Sequence, residues 1–505
     1  MELVEMESTT KPSSVKRKLN IDEILTHVGE YGTFQKLLNI IFGLIEIPYI
    51  FVIYIMTFAA QEPGWRCMEN STRCNLNGSF TSANELRCHI PRSEWEYTEP
   101  DSFSMIVTYD LYCEREWLVF LSTSIIFIGG LVGAVILAWV SDNYGRKKLL
   151  FATFGLGHIT NCLSAFMPNI TLFIIMRFLT GFLMAGVNSF IMMSEIVGGK
   201  YRAPSGNFMW LFYTAGLCLL PLKAYLIDSW KMLFLAGSVP YLVILFSYKF
   251  VPESIRWLRL KGRVDEAMKI LRRIAKRNGK SISPDISLSV PPVSKTMTSP
   301  IDIFKTKYNA LISIVLMFAF YVNAMVYFGL SLAADDIGVG SIYSSFVLVS
   351  LVEFPADILA IVLCNRFGRK KATTLPLALA GVLTLLIPAM PSTWTLRVVV
   401  GMLGKMFMTV SYNSISIWAI EIYTTNIRAE AFSIMKVAST IGGASAPWIA
   451  KGLKRVSPNL PFYIMGSLGF LAGVTCLVLP ETNGIELKES EVEQLNKDDS
   501  AKPVA

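Results

Sequence analysis

Eight ionisable side chains fall inside otherwise apolar runs of this chain: the acids Glu46, Glu353 and Asp357, and the bases Arg177, Lys223, Arg397, Lys405 and Lys436. A charge at the centre of a bilayer costs about 2.5–3.5 kcal/mol on insertion scales, so each must have a partner or a task. The chemistry on offer is recognition of charge rather than bond making. No phosphate-binding loop and no zinc-ligand cluster is present, and with three His there is no catalytic constellation, no metal and no cofactor to expect. Glu353 and Asp357 stand four apart on one helix face, with Pro355 loosening the backbone between them. Glu353 reads as a carboxylate for a ligand or a coupling ion, with a buried structural ion pair as the alternative. Glu46, two residues before Pro48, is either a proton site or the partner of a neighbouring base. A cavity holding Glu353, Lys405 and Lys436 offers both signs of charge, which suits zwitterions or weak anions as well as cations. Lys436 reaching the end of its span is the competing reading, and Lys223 is expected to snorkel.

The elements that carry these residues are membrane helices. At 505 residues, 53% hydrophobic, 17% charged and with mean hydropathy +0.48, the chain is too apolar for a soluble protein of its size. Runs of about 20 residues each are needed to span. Twelve are expected, near 39–60, 117–139, 149–167, 171–194, 206–227, 232–251, 309–331, 341–363, 373–390, 394–418, 431–451 and 460–480. The fold class is therefore an all-α membrane protein. Internal duplication divides it into two six-helix pseudo-repeats, 39–251 and 309–480. SDNYGRKK (Ser141 to Lys148) is echoed by NRFGRKK (Asn365 to Lys371), Arg177 and Gly181 by Arg397 and Gly401, and Pro252-Glu253 by Pro480-Glu481. Glu195 with Arg202 recurs as Glu421 with Arg428, at the same spacing. Asp142, Arg146, Glu195 and Arg202 in the first half, and Arg369, Glu421 and Arg428 in the second, read as gating ion pairs at the cytoplasmic ends of the spans.

The polar segments differ in kind. The stretch 61–115 carries five bases against nine acids, the cysteines Cys67, Cys74, Cys88 and Cys113, and sequons at Asn70 and Asn77. It is expected to be extracellular and glycosylated, with two disulfides in one of three connectivities. The loop 252–308 has thirteen Lys or Arg against five acids, so it, the segment 1–38 and the tail 481–505 are placed in the cytoplasm. Within that loop Val264, Ala267, Met268, Leu271, Ile274 and Ala275 recur at helical spacing. They predict an amphipathic helix lying on anionic lipid or on the cytoplasmic ends of the spans.

SDNYGRKK, RFLTG, PESIRWL (252–258) and PETNG (480–484) resemble signatures of the major facilitator superfamily. TYDLYC before the second span, the Cys-bearing loop and EIYTTNIRAE (421–430) are similar to the organic cation, anion and zwitterion transporter family within it. The chain departs from that family's pattern at Thr424 and Ala429. The resemblance implies alternating access between the halves, acting as a single chain at the plasma membrane. The cargo would be small organic ions, either cations or carnitine-like zwitterions, with lipid and a coupling ion as further partners and no nucleic acid. It places Glu353, in LVEFP, at the acidic position of cation-handling members, Lys405 at a basic position, and Phe320, Tyr327 and Tyr213 among substrate-stacking residues. At the family's charge-selecting position this chain has neutral Thr440. The alternatives are an organic anion carrier, a sugar porter, or a non-transporting receptor-like relative. Sugar porters lack the large first loop and differ from FYVNAMVYFGL (320–330) in the seventh span.

Overall fold

The structure is a computed structural model that describes residues 17–69, 71, 74, 79–80, 85–289, 303–304, 306–337, 340–391, 395–423 and 427–483. The sequon residues Asn70 and Asn77, and Thr424, lie outside them. The main helices are α1 (Ile21–Val28), α2 (Thr33–Tyr54), α3 (Trp117–Tyr144), α4 (Arg146–Ser164), α5 (Ile170–Met184), α6 (Ser189–Ile196), α7 (Arg202–Leu226) and α8 (Trp230–Ala236). After the basic helix α9 (Val264–Arg277) come α10 (Lys307–Leu332), α11 (Ile342–Leu351), α12 (Glu353–Phe367), α13 (Arg369–Leu386), α14 (Thr395–Ile422), α15 (Arg428–Pro447) and α16 (Leu460–Thr475).

Ten helical stretches among the described residues are long and apolar enough to cross a membrane. The other two expected spans are helical as α4 and α15, but less apolar because their polar groups face protein. His158 and Asn161 of α4 meet Ser238, and α15 carries Lys436 against aromatic rings. The expected span 341–363 is two helices that part at Val352, since Pro355 has no N–H to give the Leu351 carbonyl.

The duplication seen in sequence is repeated in packing. In the first half α2 packs on α7, and both α3 and α4 pack on α5; in the second α10 packs on α15, and both α12 and α13 pack on α14. The halves meet where α3 lies along α15 and α7 along α11. This leaves α10, α12, α14 and α15 of the second half, with α7 of the first, around the charged residues.

On one face of the bundle a small disulfide-bonded domain sits on strands β2 (Trp65–Cys67), β3 (Ser79–Phe80) and β4 (Trp95–Tyr97), with β2 central and antiparallel to both. Trp65 and Trp95 form its core, and the disulfides are Cys67–Cys74 and Cys88–Cys113.

On the opposite face β1 (Arg17–Leu19) pairs in parallel with β5 (Ile286–Leu288). Ile21, Ile24, Leu25 and Val28 of α1 are buried in one cluster with Ala267, Met268, Leu271 and Ile274 of α9. The basic helix thus buries its apolar stripe on the N-terminal segment. Asn278 fastens this layer to the bundle: its side chain accepts from Phe34 N (3.0 Å) and donates to Val28 O (3.1 Å) and Gln35 Oε1 (2.9 Å). Asn278→Ala leaves those groups half-buried without partners. It is expected to cost about 1–3 kcal/mol and lower the thermal midpoint of the protein in nanodiscs; an unchanged midpoint would show that Asn278 fastens nothing.

Candidate functional site

Tyr327 of α10 is the hub of the central cluster. Its hydroxyl donates to Glu353 Oε1 (2.8 Å) and lies 3.5 Å from the Tyr213 hydroxyl of α7, a contact between the halves. Lys405 Nζ from α14 stands 3.3 Å from Glu353 Oε1 and 3.2 Å from the centre of the Tyr327 ring. It also donates to Ser331 Oγ (2.6 Å) and to the Tyr327 carbonyl (3.1 Å). The Glu353 and Lys405 side chains are 4% and 1% exposed, so the pair is enclosed. A carboxylate, a ring face and two neutral acceptors thus surround one ammonium group, the arrangement that desolvated cations favour.

Tyr412 stacks on Tyr327 with ring centres 5.9 Å apart and shares a hydrogen bond with Ser439. One turn from Ser439, Lys436 Nζ lies 5.4 Å from the Tyr412 ring, 5.9 Å from Phe320 and 5.2 Å from Phe432. No carboxylate among the described residues lies within 4.0 Å of it. The Thr440 hydroxyl is spent on the Lys436 carbonyl (2.9 Å). Asp357 accepts from Asn413 Nδ2 (2.7 Å), and Glu46 of α2 accepts from Ser189. The structure therefore brings Glu353, Lys405, Tyr327 and Tyr213 into one bonded group. It sets Lys436 and Phe320 beside that group through Tyr412, and it gives Asp357 and Glu46 neutral partners.

The remaining intramembrane bases are tied elsewhere. Buried Arg177 donates to Val52 O and Asn161 Oδ1, Arg397 donates to Met390 O, and Lys223 donates to Ala236 O and Tyr241.

The duplicated loops form two matching locks. Arg146 pairs with Glu195 in the first half, and Arg369 pairs with Glu421 in the second. Glu253 accepts from the N–H groups of Arg146 and Lys147, while Glu481 accepts from those of Arg369 and Lys370, each at a helix N-terminus that favours a carboxylate. Gly145 (φ +105°) and Gly368 (φ +86°) are required there, because a Cβ would meet the Glu253 and Glu481 carboxylates at 2.6 and 2.5 Å. Asp142 is exposed, 3.9 Å from Arg146. Arg202 is drawn to Asp22 of α1, which it shares with Arg256, and Arg428 donates to the Tyr423 carbonyl. Both locks stay within their own half. Sequence alone had matched Pro252-Glu253 to Pro480-Glu481 without giving the glutamates a role. The part of Asp22 was missed, although Asn20 and Glu23 form a capping box at its helix.

Across the halves, contacts gather on the disulfide-bearing face. Phe58 stacks on Tyr343, Tyr54 meets Phe346, Phe127 meets Phe328 and Phe120 meets Trp448, with ring centres 4.9–5.8 Å apart. Arg455 completes the closure by pairing with Glu116.

Comparison with known proteins bears on this arrangement. Residues 68–493 match the family described as sugar (and other) transporter. Solute carrier family 22 member 3 of Rattus norvegicus is 31% identical over 94% of this chain and 95% of its own length. The chain belongs to solute carrier family 22. Its member 1 from Bos taurus is 30% identical over 96% of this chain and 94% of its own, and an organic cation transporter-like protein of Drosophila melanogaster is 28% identical over 94% and 92%. The inward-open xylose transporter XylE of E. coli superposes with TM-score 0.63 over 91% of this chain and 99% of its own at 16% identity, which shows the major facilitator fold. As a solute carrier of family 22, the chain is a multi-pass membrane transporter of small solutes and not an enzyme.

Because the central pair is enclosed, removing one charge strands the other. Lys405→Ala is expected to cost about 3–5 kcal/mol, while Glu353→Gln combined with Lys405→Met recovers most of it. Thermal unfolding in nanodiscs reads both, and a Lys405→Ala chain as stable as the parent would contradict the enclosure.

Proposed function

We propose that this solute carrier moves small organic cations and zwitterions across the plasma membrane by alternating access between its halves, with the disulfide-bearing face outside. The observation that carries the reading is the ammonium of Lys405 held between Glu353 and the face of Tyr327. A site that already satisfies one ammonium group fits another, and exchange of cation for cation leaves Glu353 paired throughout. Asp357 and Glu46 are bonded to the neutral Asn413 and Ser189, so neither carboxylate is taken up by a base among the described residues. Tyr213, Phe320 and Tyr412 supply ring faces, Asp357 a further carboxylate, and Lys436 an anchor for the carboxylate of a zwitterion. Names of relatives point the same way, since one is called organic cation transporter-like. Glu46, with the neutral Ser189 as its partner, is the candidate for a coupling proton.

In this reading the cross-half contacts on the disulfide side close the carrier to the outside. The pairs Arg146–Glu195 and Arg369–Glu421, with Asp142, Arg202 and Arg428 beside them, are the inner gating residues that rearrange when the cytoplasmic side closes. Asn70 and Asn77 would carry glycans outside.

Uptake into proteoliposomes of labelled tetraethylammonium, carnitine and an aromatic carboxylate tests the reading. Saturable uptake of the first two is expected. Asp357→Asn should lower cation uptake about ten-fold or more, as expected of a lost charge contact of about 1.4 kcal/mol or more. Lys436→Gln should reduce carnitine uptake more than tetraethylammonium uptake. Uptake of the carboxylate alone would make the protein an anion carrier, and uptake of none would leave a receptor-like relative.

A further inference from the structure

A cavity of about 560 Å³ lies between the halves on the disulfide-bearing side, away from Tyr327. That volume is in the range of small-molecule sites. Its floor is apolar, with Met56, Val119, Phe120 and Leu332, and includes the Thr57 hydroxyl, which is buried without a hydrogen-bond partner. Charges of both signs line the rest: Glu62, Glu116 and Asp335 against Lys451, Lys454 and Arg455.

Each of these charges already has a partner. Glu62 pairs with Arg87 of the disulfide-bonded domain (2.9 Å), Lys451 with Asp335 (2.8 Å), and Lys454 with Asp336. Burial pushes the Glu62 carboxyl above the usual range despite Arg87. Burial alone would raise Asp335 too, but Lys451 and Lys454 outweigh it and hold that carboxyl below the usual range. Among these ion pairs only Arg455–Glu116 joins one half to the other. Arg455 also points at the Cys113 carbonyl (3.5 Å) and lies 5.6 Å from the Phe120 ring, which in turn meets Trp448.

A ligand with a single charge would have to break a pair and strand one member of it. A zwitterion strands neither, because its ammonium replaces Arg455 at Glu116 while its carboxylate replaces Glu116 at Arg455. We propose that this outer cavity is an entry site for small zwitterions, and that a zwitterion inserted between Glu116 and Arg455 unlatches the halves on the outside. The inference rests on the carrier reading above but concerns a different site, so the two can fail separately.

The test is a distance measurement between spin labels at Glu114→Cys and Val456→Cys, exposed positions on opposite halves, in nanodiscs with Cys162 and Cys218 replaced by Ser. Glycine betaine should raise the fraction of the longer distance in a saturable way, and should still do so with Glu353→Gln combined with Lys405→Met, which removes the central pair without stranding either member. Tetramethylammonium and acetate should leave it unchanged. Arg455→Gln should raise the longer-distance fraction roughly two- to five-fold without ligand, the size expected of one partly exposed ion pair, and abolish the response to betaine. The proposal is overturned if betaine changes nothing in the parent chain, if the Glu353→Gln, Lys405→Met double variant loses the effect, or if tetramethylammonium alone matches it. A chain that takes up tetraethylammonium yet shows no response to betaine fails this proposal and not the carrier reading.

Discussion

Glu353 cannot be left alone in this protein. It is enclosed among α10, α12 and α14, where an unpaired carboxylate would be prohibitive, and the surrounding geometry answers that constraint. Tyr327 donates to it, Lys405 neutralises it, and Ser331 and the Tyr327 carbonyl hold Lys405 in place. The break at Val352 sets Glu353 at the start of a new helix. The same hydroxyl reaches Tyr213 across the interface, so the enclosed Glu353–Lys405 pair of the second half touches the first half at its centre.

Around that centre the two halves are alike in their frames and unlike in their contents. Both place a glutamate at the helix that follows the duplicated loop, and both pair the loop arginine with a glutamate of the same half. The buried charges are unequal: Glu46 and Arg177 in the first half meet neutral partners, whereas the second half holds the paired Glu353 and Lys405, with half-buried Asp357 and Lys436 beside them. Matching locks in each half, with the paired charges concentrated in one, suit the proposed carrier whose halves rock about a fixed site.

Much of this was legible in the sequence. Apolar runs gave the helices, the repeated loops gave the two halves, and the cost of intramembrane charge singled out Glu353, Lys405 and Lys436. The partners of those residues could not be read, because they come from helices distant in the chain. Glu353 and Lys405 are 52 positions apart, and nothing local records that Lys405 lies over Tyr327. Charge assigns the N-terminal segment a side of the membrane and no structure, yet Ile21, Ile24, Leu25 and Val28 form a stripe against which α9 buries its own. Short, partly polar elements hide their periodicity until their partner is known. The ion pairs of the disulfide-bearing face were equally silent, since Glu116 and Arg455 sit at the ends of spans, where a charge costs little and draws no notice.

A structure determined with a quaternary ammonium ligand bound is the most direct test of the central claim. The account predicts that the ligand's cationic centre lies within about 6 Å of the Tyr327 ring centre, with Lys405 drawn off Glu353 but still bonded to Ser331. A ligand bound elsewhere, with the Glu353–Lys405 pair unbroken, would reduce that pair to a structural brace and move the search for the site to Asp357 and Lys436.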